Sequence, residues 1–399
     1  MGNANFSTRC LQKRGLNILI KFLLLTVGAS MMFTFMAHHV VYRPSSAVSR
    51  LGPAFMLINK AGNSHLDYFE EFAESPDEEK IVLMNKMRES MKSFMHRCTK
   101  KKAYCKKFPE QQHILTLFTT WVYEKEKFHI NNKTLFNWRT LPNVNLVVFT
   151  NSTGVKYYSA EAGFQVLPII EEASGAPVLP AMFGAVMKKF QSEFYGFANG
   201  DILFTKTLVD TLEHVLCSLG QIRRQNGILI VGRRVNVPAR LVTDKIAMSW
   251  KQLDRISHSG SLFQSDAEDY FITDKSYPWH KFLPVAIGRR AYDNWVVAFS
   301  RYHNITVIDA SESIQCLHQT LESRGNFEGL EKGRYNIELI DQLRLPFSPY
   351  SWGRTLCAGM KSWTNLCGEI VLSERYRLVS TCTSYYTFHK IYKLLGLIR

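Results

Sequence analysis

In Tyr195-Gly196-Phe197-Ala198-Asn199-Gly200-Asp201-Ile202-Leu203-Phe204 an apolar run breaks for three turn-forming residues and then resumes. The first run, Tyr195 to Ala198, reads as a short buried strand, and Gly flanked by Asn and Asp is turn chemistry. The strand therefore delivers a carboxylate, Asp201, on a tight turn at its carboxyl end. A carboxylate so placed can coordinate a hard divalent cation and hold it against a diphosphate. The same tripeptide also suits an Asx turn or a helix cap, and both readings stay open at this point.

Working outward, the same texture continues in both directions. Upstream, Ile114 to Phe118 and Leu146 to Phe149 read as strands, Phe128 to Leu141 as a helix, and Phe164 to Ile170 as a third short strand. Pro180 to Phe194 reads as a helix, with Met182, Phe183, Val186, Met187 and Phe190 at helical spacing. Downstream, Leu208 to Leu219 is helical, while Ile228 to Val231, Pro284 to Ile287 and Val307 to Ala310 are strand-like. Short apolar strands alternating with helices predict an α/β domain with a mainly parallel sheet flanked by helices. In such sheets ligands collect at the carboxyl ends of the strands, so polar residues just past each strand are the candidates for chemistry.

Three further elements meet that description. Asp266, Glu268 and Asp269 directly precede Tyr270-Phe271-Ile272. Gly288-Arg289-Arg290-Ala291-Tyr292-Asp293-Asn294-Trp295 places Asp293 at a helix start, where it is either an N-cap or a base. Leu317-His318-Gln319 follows the strand at Val307 to Ala310. A lone His is a metal ligand or an ordinary core residue.

In their shared order, Phe197 to Leu203, Asp269-Tyr270-Phe271, Ile287 to Trp295, Leu317-His318-Gln319 and Arg334-Tyr335-Asn336-Ile337-Glu338-Leu339 resemble a group of glycosyltransferases of the GT-A fold. The resemblance spans about residues 110–340. It implies a transferase that moves a sugar from a nucleotide-diphosphate donor to an acceptor hydroxyl, on a glycan, glycoprotein or glycolipid. Asp201 and His318 would hold Mn²⁺ or Mg²⁺. Asp293 would act as the base, with Asp269 as a second catalytic carboxylate. Thr119, Thr120, Asn199, Arg233 and Arg289 would face the nucleotide sugar, and Arg233, Arg234, Arg289 and Arg290 are candidates for contact with its diphosphate. Asn199 stands where many relatives carry a first Asp, which opens the alternative of an inactive, membrane-tethered binding protein on the same fold.

The flanks set the expected compartment. Leu16 to Val41 is a largely apolar stretch, uncharged from Phe22 to Ala37 and extended past Lys21 by Ile18, Leu19 and Ile20, and is long enough to cross about 30 Å of hydrocarbon. It lacks a small-x-small cleavage pattern, which predicts an uncleaved signal-anchor over 16–41 behind a cytosolic tail over 1–15. Arg9, Lys13 and Arg14 precede it, giving a single-pass type II orientation with a lumenal C-terminal domain in the Golgi or endoplasmic reticulum. Acceptor sequons at Asn132, Asn151 and Asn304 agree. A stem and helical lead-in are expected over 42–110, a catalytic domain over 111–345, and a Cys-containing extension over 346–399.

The chain carries 49 Lys and Arg against 34 Asp and Glu, a formal charge of +15. That charge suits an anionic partner, but no RNA-binding signature, Cys/His finger or basic heptad accompanies it, so nucleic acid is set aside. The eight cysteines include no Cys-x-x-Cys pair, which argues against structural zinc. In an oxidising lumen the sequence neighbours Cys98 with Cys105 and Cys357 with Cys367 are candidate pairs. Cys217 and Cys316, inside apolar runs, read as buried and reduced. No Gly-x-Ser-x-Gly elbow, His-Glu-x-x-His helix or P-loop is present.

Overall fold

The structure, a computed structural model, describes residues 112–218, 227–321, 333–365 and 367–383. The expected anchor over 16–41, the stem, and Cys10, Cys98 and Cys105 lie outside the described residues. Among the described residues, no helix is long and apolar enough to cross a membrane.

The chain runs β1 (Leu115–Thr120), α1 (Phe128–Trp138), β2 (Val144–Phe149), α2 (Thr153–Glu161), β3 (Gln165–Leu167), a hairpin of β4 (Glu172–Ala173) and β5 (Ala176–Pro177), and α3 (Leu179–Lys189). Then come β6 (Phe194–Ala198), β7 (Ile202–Phe204), α4 (Thr207–Ser218), β8 (Ile228–Val231), β9 (Val235–Pro238), α5 (Asp244–Ala247), α6 (Trp250–Ser257), β10 (Ser261–Leu262) and β11 (Tyr270–Asp274). The rest is α7 (Tyr292–Tyr302), β12 (Thr306–Glu312), β13 (Cys316–Thr320), α8 (Tyr335–Asp341), α9 (Pro349–Trp352), β14 (Met360–Thr364) and β15 (Ile370–Glu374).

Nine strands form the main sheet in the order β15-β14-β12-β8-β11-β6-β1-β2-β3. Its pairings are parallel except where β11 enters between β6 and β8 and where β15 closes the edge on β14. The strands alternate between two apolar layers, as a pleat with both faces covered demands. On β6, Tyr195 and Phe197 enter one core while Phe194 and Ala198 enter the other. On β8, Leu229 and Val231 part from Ile228 and Ile230 in the same way. The first layer is capped by Leu179, Met182, Phe183 and Val186 of α3 and by Trp295, Val296, Val297 and Phe299 of α7. The second takes Leu135 and Trp138 of α1 and Leu208, Val209, Leu212 and Val215 of α4. Each such buried side chain contributes about 1.5–3 kcal/mol, so both layers are needed to hold the sheet.

A second sheet of order β10-β9-β13-β7 positions the functional turn. The Asn199-Gly200-Asp201 turn carries the chain from β6 in the main sheet directly into β7 of the second. There β13 pairs antiparallel with β7, placing His318 opposite Ile202. The backbone N–H of Gln319 donates to the Asp201 carbonyl at 3.2 Å. His318 therefore reaches Asp201 through strand register.

Several local expectations change. Pro284 to Ile287 makes only a single bridge, Val178 to Ala286, because Val178 and its neighbours present too short a partner for a ladder. The strand expected over Phe164 to Ile170 shrinks to Gln165–Leu167 at the sheet edge, where only one side offers hydrogen bonds. Tyr270-Phe271-Ile272 forms a fully buried central strand. The C-terminal extension builds β14 and β15 into the main sheet. Cys357 bonds to Cys382 rather than Cys367. The run of β14, at about 3.3 Å per residue, separates Cys357 from Cys367. Cys217 and Cys367 are also disulfide-bonded, which corrects the reduced reading of Cys217, whereas Cys316 is free and buried.

Candidate functional site

A cleft of about 450 Å³ opens where the two sheets meet, lined among others by Asp201, His318, Arg234, Glu268, Asp293 and Tyr350. It gathers Asn199, Asp201, Asp269, Arg289, Asp293 and His318 from the sequence-derived set.

At one end, Asp201 Oδ2 lies 3.2 Å from His318 Nε2, and His318 Nδ1 shares a hydrogen bond with Thr320 Oγ1 at 3.0 Å. The Asp201 side chain keeps 32% of its surface, yet its Oδ1 is sealed and has no hydrogen-bond partner. Burial pushes this carboxyl up. His318, with Arg234 and Lys127 farther off, outweighs burial and holds it below the ordinary carboxylate range. Gln319 Oε1, on the same wall, is also buried without a partner. Among the described residues no group of three or more His, Cys, Asp or Glu side chains forms a closed metal cage. A hard cation that takes phosphate oxygens and water does not need one, so these donors fit such an ion.

Behind the turn lies a buried network. Asn199 Nδ2 donates to Asp269 Oδ1 at 2.8 Å, and its Oδ1 accepts from the Tyr292 hydroxyl at 3.3 Å. Arg234 donates through one nitrogen to both Asp269 oxygens and through Nε to Asn236 Oδ1 at 3.0 Å, with its guanidinium over the Phe263 ring. The Asn199 backbone N–H donates to the Asp269 carbonyl at 3.0 Å, a contact fixed by β11 lying antiparallel to β6. The Asp269 carboxylate is thus paired with Arg234 and tied to Asn199. Both Asp269 oxygens accept from the Arg234 guanidinium and one also from the Asn199 amide, an arrangement suited to positioning the turn.

The opposite wall is acidic and dry. Glu268 is 1% exposed, and neither of its carboxylate oxygens has a hydrogen-bond partner. Burial first, then repulsion from Asp293, Asp266 and Asp269, pushes its carboxyl well above the usual range. Asp293 is half-buried, and burial, helped by Asp269 and Asp266, pushes it to about 7 against the backbone N–H of Asn294 that donates to its Oδ1 at 3.0 Å. Asp293 is not the N-cap. That position is Ala291, held in the left-handed region at φ 68°, and Asp293 sits in the first turn of α7. An alanine there costs about 1–2 kcal/mol, which the surrounding contacts offset. Arg289 donates to the Ser174 and Gly288 carbonyls, and Asn336 Nδ2 donates to the Ala286 and Arg289 carbonyls.

The other sequence-derived residues are placed differently from one another. Arg289 lines the cleft but is buried with its guanidinium on carbonyls, so it braces the loop and has little left for a nucleotide. Arg233 is off the cleft wall, its backbone N–H donating to Ser311 Oγ at 2.8 Å. Its neighbour Arg234, on the same connection between β8 and β9, lines the cleft. Thr119 is buried, with Oγ1 donating to the Thr120 carbonyl at 3.5 Å, and Thr120 Oγ1 is sealed. Both lie behind the Gly200 turn, off the cleft wall. Of the sequons, Asn151 and Asn304 are exposed, while Asn132 is half-buried with Oδ1 taken by the Tyr158 hydroxyl. Tyr292, Phe263 and Tyr350 were not singled out by sequence, because an aromatic beside a strand or helix reads as core.

No family model and no curated protein matches the chain. Some solved structures are similar to it. One is S. aureus TarS, at 18% identity and a TM-score of 0.23, covering 31% of this chain and 22% of that one. Another is the mannosyltransferase PcManGT from Pyrobaculum calidifontis in complex with GDP-Man and Mn²⁺, at 10% identity and 0.32, covering 80% and 91%. M. tuberculosis glucosyl-3-phosphoglycerate synthase is similar at 12% identity and 0.34, covering 58% and 79%. The chain spans about a fifth of the length of TarS, and at these scores its activity has to be argued from its own cleft.

Proposed function

We propose that this chain is a glycosyltransferase that moves a sugar from a nucleotide-diphosphate donor to an acceptor hydroxyl. One observation carries the reading: a single cleft holds two aspartates whose surroundings push them opposite ways. Asp201 is held ionised beside His318, and Asp293 is raised to about 7 on a dry wall. Such a separation assigns charge binding to one carboxylate and proton transfer to the other.

In this reading the donor diphosphate lies at the Asp201 end. Asp201 and His318, with Gln319 alongside, would hold Mn²⁺ or Mg²⁺, which when bound neutralises the charge of the departing diphosphate. Lys127, on the same wall, adds positive charge near it. The acceptor oxygen bonds to the anomeric carbon as the bond to the diphosphate breaks, and the acceptor's proton goes to Asp293. Asn199, braced by Asp269, Arg234 and Tyr292, keeps the turn in register. The Asn that replaces a first acid therefore serves a structural purpose here. A lumenal setting is part of the proposal. The apolar span over 16–41 and the Cys357–Cys382 bond support it, since disulfides persist in oxidising compartments.

The test uses the full chain, purified in mild detergent and offered a panel of nucleotide sugars with and without Mn²⁺. Release of nucleoside diphosphate from at least one donor is expected, faster with the cation. Binding without release supports the inactive, carbohydrate- or nucleotide-binding alternative. Neither binding nor release across the panel overturns both readings.

A further inference from the structure

The Asp293 end of the cleft contains a cation that the transfer chemistry does not use. Of the consecutive pair Arg289-Arg290, the first is spent on carbonyl oxygens, whereas Arg290 is exposed on the cleft wall. It has no hydrogen-bond or ion-pair partner among the described residues. Arginine at such a position offers a planar fork of donors suited to a carboxylate, sulfate or phosphate.

Tyr350 stands near it, on α9, with 37% of its surface exposed and facing the same cleft. Both Arg290 and Asp293 bear electrostatically on its hydroxyl, which burial raises. An aromatic ring half open to a cleft is a platform for the apolar face of a sugar. The platform is firmly built. Asn294 Nδ2 donates to the Gly353 and Asp266 carbonyls, at 3.0 Å each, tying α9 and the acidic segment to the start of α7. A side chain at Gly353 would collide with the Asn294 carbonyl, so glycine lets the end of α9 pack directly on the start of α7.

Apart from Asp293, three carboxylates on this wall are subdued. Asp266 lies 3.6 Å from Arg354, and Glu268 is too dry to ionise readily. Asp269 is neutralised by Arg234. Arg290 is the exposed cation lining this end of the cleft, while Arg334 and Asp341, of opposite sign, also bear on Tyr350.

We propose that this wall selects an acidic saccharide: a sugar ring on Tyr350, its carboxylate, sulfate or phosphate on Arg290, and its free hydroxyl towards Asp293. The fate of that hydroxyl rests on the transferase reading, but recognition of the saccharide does not.

The experiment measures binding of the full chain, by calorimetry, to matched oligosaccharides that are neutral, uronate-bearing, sulfated or phosphorylated. UDP and GDP, each with Mn²⁺, are titrated in parallel. At least one acidic series should bind about 10-fold or more tighter than its neutral match, the usual worth of a charged hydrogen bond. The pattern among the three identifies the anion. Arg290→Gln should reduce the acidic ligand to the neutral level and remove its salt dependence, and Arg290→Lys should keep part of the preference. Tyr350→Ala should weaken neutral and acidic saccharides alike. Nucleotide binding and thermal melting should be unchanged in all three variants. Equal affinity for neutral and acidic saccharides overturns the proposal, and so does a preference that survives Arg290→Gln. Acidic-saccharide binding in a protein that binds no nucleotide would sink the transferase reading and leave this one standing.

Discussion

The two ends of the cleft use the same side chain under opposite conditions. Asp201 sits on a turn with a third of its side chain in solvent, next to His318 and within reach of Arg234 and Lys127, and is held below the usual carboxylate range. Asp293 opens a helix over a wall that includes the dry Glu268, and is held far above it, at about 7. Each environment comes from a different construction. The Asp201 end is assembled from strand register, β7 against β13, which brings a His beside the carboxylate. The Asp293 end is assembled from a strained loop and a helix start packed against an acidic segment, which imports repulsion. What a carboxylate can do in this protein is decided by what is packed around it.

The largest effect that can break this contrast is at Asp293. Asp293→Asn keeps the shape and the contact with Asn294, so nucleotide binding and melting should persist while transfer falls about 10²–10⁴-fold. In the native protein the group titrates near 7 and must be deprotonated to accept a proton. Activity should therefore climb about tenfold per pH unit below 7 and level off above it. Normal transfer by the Asn variant, or a flat profile through pH 7, removes Asp293 from the chemistry.

The brace behind the turn is next. Arg234→Met leaves Asp269 ionised, buried and unpaired, and should cost about 3–5 kcal/mol of stability. Denaturant unfolding reads this directly, and a loss under 1 kcal/mol would mean that the pair does not anchor Asn199. At the first end, Asp201→Asn should weaken Mn²⁺-dependent binding of nucleoside diphosphate by about 100-fold, several kcal/mol of lost charge pairing, with little change in melting. Unchanged binding would reduce Asp201 to a turn former and dissolve the contrast from that side.

The smallest effect sharpens the other side. Glu268 is held protonated more tightly in the folded state than in the unfolded one. Its contribution to stability is therefore complete below the unfolded value and is lost as pH rises through the folded one. Glu268→Gln mimics the protonated form, so it should leave melting near its native value at about pH 4, below the unfolded value, and raise it by about 3 °C at pH 8. A variant that melts lower at pH 8 would show that Glu268 is ionised and paired.

Much of this was legible in the chain. Short apolar runs between helical segments gave an α/β domain with a largely parallel sheet, because periodicity and turn chemistry are local properties. The polar residues singled out along the chain included Asp201, Asp293 and His318, which do meet in one cleft, although His318 lies within β13 and Asp293 in the first turn of α7. The antiparallel entry of β11 was not legible, because an apolar pentapeptide carries no direction and long-range pairing sets it. Nor was the choice between neighbours. Arg234 rather than Arg233 enters the cleft, and Arg290 rather than Arg289 stays free, because a one-residue difference in facing depends on what packs behind.

The sequence by itself determined which elements form, where the turn lies, and which acids stand past strand or helix ends, since each follows from the preferences of a few adjacent residues. Tertiary structure alone decided that His318 reaches Asp201, that Cys357 meets Cys382, and that Asp269 is paired with Arg234. It also decided that Glu268 is dry. Contact and desolvation are properties of the packed chain, and a carboxylate's charge depends on the water and partners that folding leaves it.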